Sequence, residues 1–396
     1  MKNVKKYLFI LILTIIVYFN YSIVTYANNF QNFKYTNELT QEDINNALSS
    51  TRFYYLLENF YNYPERLGLN KEQVQESHLG SPFNLIEINK NNNINLYKNI
   101  KTFPIYYNNT IIALLTLTKD NGEIYYSIGQ SYAPEIQKKL NENLEDLVLF
   151  VDQNNDLYSI DKSNNKSLIN PNISSNANNE YKIYFDNSEL INYDKLKIYN
   201  NVITEDNQKN IKISDLISQI ITPNIVASDG KDWYIYPFPE IKQPNDWSCW
   251  ATVIAAMARY EMPDKYSNLT PQQVWQTVGI YSTATISECK TAMQYFFKSP
   301  YLPQITGNYL NQQEVQIVTA NDDPAFMFLA NYEANKAHAT ALVGYSFRNN
   351  LYNIWLMDPA IGRTTLADVN TNGLRYTNNV RSYVWDNTIR LYYKQN

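Results

Sequence analysis

The chain has 396 residues with a hydrophobic share of 44%, enough for packed cores and too much for wholesale disorder. Lys and Arg number 33 against 38 Asp and Glu, a net charge of −5, so there is no electrostatic basis for a nucleic-acid partner, which needs a clustered basic face. Its 35 tyrosines follow no period, which fits compositional bias along the whole chain rather than a repeating carbohydrate-binding unit.

Lys2, Lys5 and Lys6 precede an apolar run at 7–19, and Thr25-Tyr26-Ala27 places small residues at −3 and −1. That is the plan of a secretory signal peptide over 1–27. Asn20 stops the run short of the roughly 20 residues a membrane span requires. The expectation is an exported chain, secreted or cell-wall associated, with no stable membrane span after cleavage.

Residues 28–225 read as an α+β domain. Thr40-Gln41-Glu42-Asp43 opens a helix-compatible stretch to about residue 61. Residues 111–118 and 123–128, joined through Asn121-Gly122, predict a β-hairpin, and 147–151 with 157–160 predict a second. The Asn-rich segment 163–180 has little to bury and reads as a mobile loop. His78 stands alone and carries no catalytic set. Thr222-Pro223-Asn224 and Ser228-Asp229-Gly230-Lys231 mark an interdomain linker.

Residues 226–396 begin with three predicted helices. The first covers 248–262 and is closed by Pro263. The second opens at Thr270 with Pro271 and Gln273 and closes at Gly279, and the third covers 285–297. Extended runs follow at 324–332, 339–347, 352–357 and 383–393. Helices first and strands later predict segregated layers.

Cys249 heads the first of these helices, where unpaired N–H groups and the macrodipole favour a thiolate. His338 is the one histidine of this half and stands at the start of a strand, where it can serve as general base. Asp358 ends the next extended run and can orient the imidazole; Asn353 is the alternative, although it falls mid-strand. Gln243, upstream of Cys249, can supply an amide to an oxyanion beside the Cys249 N–H. Cys289 follows the helical stripe of Ile286, Met293 and Phe296 and reads as a packed free thiol. Trp250 reads as core, and Trp355 as either core or a cover over the imidazole–carboxylate pair. Two distant histidines and two cysteines cannot form a ligand cluster, so neither a metal nor another cofactor is expected.

Ser248-Cys249-Trp250-Ala251 after Gln243, His338-Ala339 leading into Val343-Gly344-Tyr345, and Asp358 resemble the papain-like cysteine peptidases. The order Gln, Cys, His, Asp/Asn is the family's. The layout, an exported precursor with a long N-terminal part, is similar to the bacterial staphopains, and Asp358-Pro359 also resembles the double-glycine leader peptidases. The Asn-Ser-Trp stretch of papain is absent. The resemblance implies an α+β papain-like domain over 226–396, with its N-terminal helices packed on an antiparallel sheet or half-barrel. It implies that 28–225 is a prodomain able to inhibit in cis. The implied activity is hydrolysis of protein or peptide substrates through Cys249, His338 and Asp358 with Gln243 as oxyanion donor. Acyl transfer to an amine, or peptide binding without catalysis at a cell surface, stays open at this point.

Overall fold

The computed structural model describes residues 38–84, 86–88, 94–142, 147–152, 157–169, 193–196, 211–218, 231–298, 301–332, 336–348, 351–370, 373–378 and 381–393. The expected signal peptide, most of the Asn-rich segment and most of the linker lie outside the described residues.

The chain enters through two helices, Gln41–Leu48 and Thr51–Asn62, where the pattern suggested one continuous stretch. Ser50 divides them by taking a cap position, its hydroxyl accepting from Phe53 N–H at 3.1 Å. The strands of this half are β1 (His78–Leu79), β2 (Ile86–Ile88), β3 (Ile94–Leu96), β4 (Ile100–Tyr107), β5 (Thr110–Asp120), β6 (Glu123–Gly129), β7 (Val148–Asp152), β8 (Leu157–Ile160), β9 (Lys166–Leu168) and β10 (Ile211–Lys212). Both expected hairpins form, as β5–β6 and β7–β8. The β5–β6 turn sets Asn121 at φ 51° and Gly122 at φ 81°, the paired left-handed conformation that suits a two-residue hairpin. The mobile-loop expectation for 163–180 needs correction at its start, because Lys166–Leu168 pairs with β8. Backbone pairing there needs no apolar run.

The second half supplies the helices Cys249–Glu261, Pro271–Val278 and Ile286–Phe296, all three near their expected bounds. Its strands are β11 (Lys231–Tyr234), β12 (Tyr301–Ile305), β13 (Ala325–Asn331), β14 (Lys336–Arg348), β15 (Leu351–Asp358), β16 (Arg363–Val369), β17 (Arg375–Asn378) and β18 (Arg381–Tyr393). A further helix, Gln312–Ala320, opens with an Asn311–Glu314 capping box that the sequence reading passed over.

The two halves share one sheet. Its order is β10-β1-β4-β5-β6-β16-β15-β14-β13-β18-β12, with β11 on β14 and β17 on β18; β2, β3, β7, β8 and β9 form a second, five-stranded sheet. The join is β6 on β16, through Thr365, Leu366 and Ala367 opposite Gly129, Ile128 and Ser127. Gly129 is needed there, since a Cβ would stand 2.8 Å from Thr365 Oγ1. Phe53, Leu56, Leu57 and Phe60 of the Thr51–Asn62 helix belong to the same apolar cluster as Trp355 and Leu366. Ionic contacts border this seam. Arg52 pairs with the buried Asp368, Arg375 pairs with Asp120, Arg348 Nη1 reaches Glu58 Oε1 at 2.6 Å, and Tyr63 OH donates to Asp232 Oδ2 at 2.7 Å.

Both faces of the β14–β15 layer are packed. Ala339, Ala341, Val343, Trp355 and Met357 face the cluster that holds the Cys249–Glu261 helix, while Leu342, Tyr345, Ile354 and Leu356 face a cluster with Tyr376, Tyr383 and Trp385. A bulge between Leu342 and Gly344 shifts the register along β14. Residues 249–258 are buried all round, so this helix is a core element rather than an amphipathic cover. Truncating Trp250, which is 2% exposed, would cost about 3–5 kcal/mol. The whole is a mixed helix-and-sheet, α+β fold. Among the described residues no helix is long and apolar enough to cross a membrane.

Candidate active site

Cys249 is the first residue of its helix and is 8% exposed. The helices that begin after Thr40, Asn70, Thr270, Thr285 and Asn311 are all closed by reciprocal capping boxes. The Cys249 helix is not. Ser248 occupies its cap position without a side-chain bond to the first turn, and its hydroxyl donates instead to Asn245 O at 3.1 Å. The first-turn N–H groups, that of Cys249 among them, therefore have no side-chain cap and present positive potential. The helix start is anchored by other means. Trp250 Nε1 donates to Ser282 O at 3.0 Å, and Thr252 Oγ1 donates to Ser248 O at 2.9 Å.

His338 lies near the start of β14, and Asp358 is the last residue of β15. The pairing of Ala341 with Met357 brings the beginning of one strand beside the end of the other. His338 Nε2 lies 2.7 Å from Asp358 Oδ1. The same oxygen accepts Ala360 N–H at 2.8 Å, and Oδ2 accepts the Tyr376 hydroxyl at 2.6 Å. With Nε2 engaged, Nδ1 is the ring nitrogen left for Cys249. Burial pulls the imidazole pKa down. The charge and hydrogen bond of Asp358 outweigh it, the Cys249 sulfur adds to them by hydrogen bond and charge, and the pKa is pushed up to about 10. The three side chains thus form one coupled unit with Asp358 fully buried.

Gln243 lies in the loop before the helix, its backbone tied to the turn that follows Asp358. Its N–H donates to Pro359 O at 2.8 Å, and its side-chain Oε1 is buried without a partner. Gly362, at φ +68°, allows the approach, because a Cβ there would stand 2.7 Å from Lys242 Cβ. Gly362 N–H also donates to Asp358 O at 2.8 Å, so one short turn ties the carboxylate to the glutamine segment.

Two alternatives from the sequence do not hold. Asn353 alternates with Ile354 and points away from the Asp358 side, and Trp355 does so too. The Trp355 indole packs edge-on to Tyr234 at 5.9 Å and beneath the Arg66 guanidinium at 5.1 Å, so it does not cover the imidazole–carboxylate pair. Tyr383 stands nearest that role, its ring centroid 5.6 Å from that of His338. The sequence reading missed Tyr376 and Tyr383. The one available signal was the apolar alternation of Leu374 with Tyr376 and of Tyr383 with Trp385, diluted among 35 tyrosines. Cys249 and Cys289 are both free thiols. His78 lies in β1, stacked on Tyr106 with centroids 5.6 Å apart, outside this constellation. Among the described residues no group of three His, Cys, Asp or Glu side chains could hold a metal ion.

No family model matches this chain, and no curated protein matches it.

Proposed function

We propose that the chain is an exported cysteine peptidase of papain-like type. The single observation that carries the reading is the buried His338, hydrogen-bonded to Asp358 and set within electrostatic reach of the Cys249 thiol that begins an uncapped helix. His338 Nδ1 takes the proton from Cys249, and the thiolate attacks the substrate carbonyl carbon. The resulting oxyanion is held by the Cys249 N–H and the Gln243 side-chain amide. As the C–N bond breaks, the imidazolium passes its proton to the leaving amine, and a thioester remains on Cys249. Water then attacks with His338 as base, the C–S bond breaks, and the proton returns to the sulfur.

In the same reading residues 28–225 are a prodomain. Its removal would have to break the three β6–β16 pairs and expose the apolar cluster that Phe53, Leu56 and Leu57 share with Trp355 and Leu366, so release would need cleavage of the chain and not simple parting of the halves. The Thr51–Asn62 helix packs on β6, β15 and β16, so this half would act on the site by bracing the strand that carries Asp358.

The test is to incubate the reduced protein with a peptide library beside the Cys249→Ala variant and read the cleavage sites. Cleavage by the wild type alone supports the reading; equal cleavage by both, or by neither, removes it. A time course of the exported protein addresses the prodomain. A wild type that cleaves peptides while staying full length removes that part alone.

A further inference from the structure

The β17–β18 hairpin lies against the His338–Asp358 pair from the face opposite the Cys249 helix. Tyr376 and Tyr383 are direct cross-strand partners in it and therefore project to the same side. One donates its hydroxyl to Asp358 Oδ2 at 2.6 Å, and the other sets its ring against the imidazole. Both are buried, at 3% and 6% exposure. A carboxylate with no access to water needs donors on both oxygens. Here Oδ1 is served by His338 and Ala360, and Oδ2 by Tyr376.

We infer that Tyr376 is a positioning residue for the proposed reaction, holding Asp358 through Oδ2 and drawing off part of its negative charge so that His338 can both accept and return a proton. The inference rests on the reading of Cys249, His338 and Asp358 as a catalytic unit. The chemistry requires such moderation, because the imidazolium must release its proton to the leaving amine, and a bare buried carboxylate would retain it. Tyr376 is suited to the task. Burial first, and then the Asp358 charge, keep its phenol protonated far above the ordinary range, so it remains a donor throughout. The titratable groups acting on His338 are Asp358 and Cys249, and those acting on Tyr376 are Asp358 and Tyr132.

Tyr376→Phe removes the hydroxyl and keeps the ring. The expected result is a kcat lower by roughly tenfold with KM little changed, as for loss of one hydrogen bond to a charged group. With its charge concentrated, the carboxylate should hold the imidazolium more tightly. The basic limb of the kcat profile then moves to higher pH, and the His338 Nε2–H proton resonance moves further downfield. The chain has 2 histidines, so a His78→Gln background assigns that resonance without ambiguity. Asp358→Asn serves as the control that abolishes the resonance. An unchanged profile and resonance in Tyr376→Phe, beside an active wild type and a responsive control, would overturn the inference. A wild type that cleaves nothing would defeat the peptidase reading, and the resonance would still report whether Tyr376 acts on the His338–Asp358 bond.

Discussion

Cys249 and Cys289 lie in one apolar cluster, on helices that pack together, yet they meet opposite conditions. Cys289 sits inside a helix that opens with a reciprocal Thr285–Glu288 cap, and its own N–H is spent on Thr285 O at 2.9 Å. Burial, and then the charge of Cys249, push its thiol well above the ordinary range. Cys249 begins a helix with no side-chain cap and has an imidazole beside it. What separates the two is not depth but the state of the helix terminus and the presence of a proton acceptor, on which the proposed reactivity of Cys249 rests.

The hardest blow to this contrast would be a chemical one. Cys249→Ala should lower kcat on peptides by on the order of 10⁶, the scale seen when a nucleophile is removed, whereas Cys289→Ala should retain activity. In the folded protein an electrophile followed by peptide mapping should mark Cys249, with Cys289 reacting only after denaturation. Comparable loss in both variants would erase the distinction. Next in size is Gln243→Ala, expected to cost about 10²–10³ in kcat with little change in KM, read from initial rates.

A pH series sharpens the same contrast. The His338 pKa is raised from 6.5 to about 10 in the folded chain, so the folded form keeps a proton that the unfolded form releases. The stabilisation is therefore whole below pH 6.5, declines as the pH rises, and is lost above about 10. Denaturation midpoints measured from pH 6 upward should fall in the wild type and fall less steeply in His338→Gln. The smallest effect concerns the caps. Thr285→Ala should cost about 1 kcal/mol by thermal melting, and Ser248→Ala less, because Ser248 caps nothing.

Much of the candidate site's arrangement was legible because its groups sit at element ends. Cys249 precedes an apolar helical run, and His338 and Asp358 sit at the start and the end of two consecutive extended runs, which short-connection rules bring together. Parity also placed Trp355 opposite Asp358, although the sequence reading did not use it. The seam was not legible. β6 and β16 are far apart in the chain, and neither strand carries a mark of its partner. Tyr376 was hidden for a different reason: its role depends on the register of β17 with β18, which no local pattern encodes. The start of the 163–180 segment was misread because polar side chains do not preclude a backbone ladder.

Three residue pairs stitch β6 to β16. So short a stitch makes those amides of Ser127–Gly129 and Thr365–Ala367 that point across it a gauge of cohesion between the halves. If the halves breathe apart without unfolding, deuterium will enter at these positions earlier than in the middle of β14, and the lag between the two will measure how firmly the molecule holds itself together.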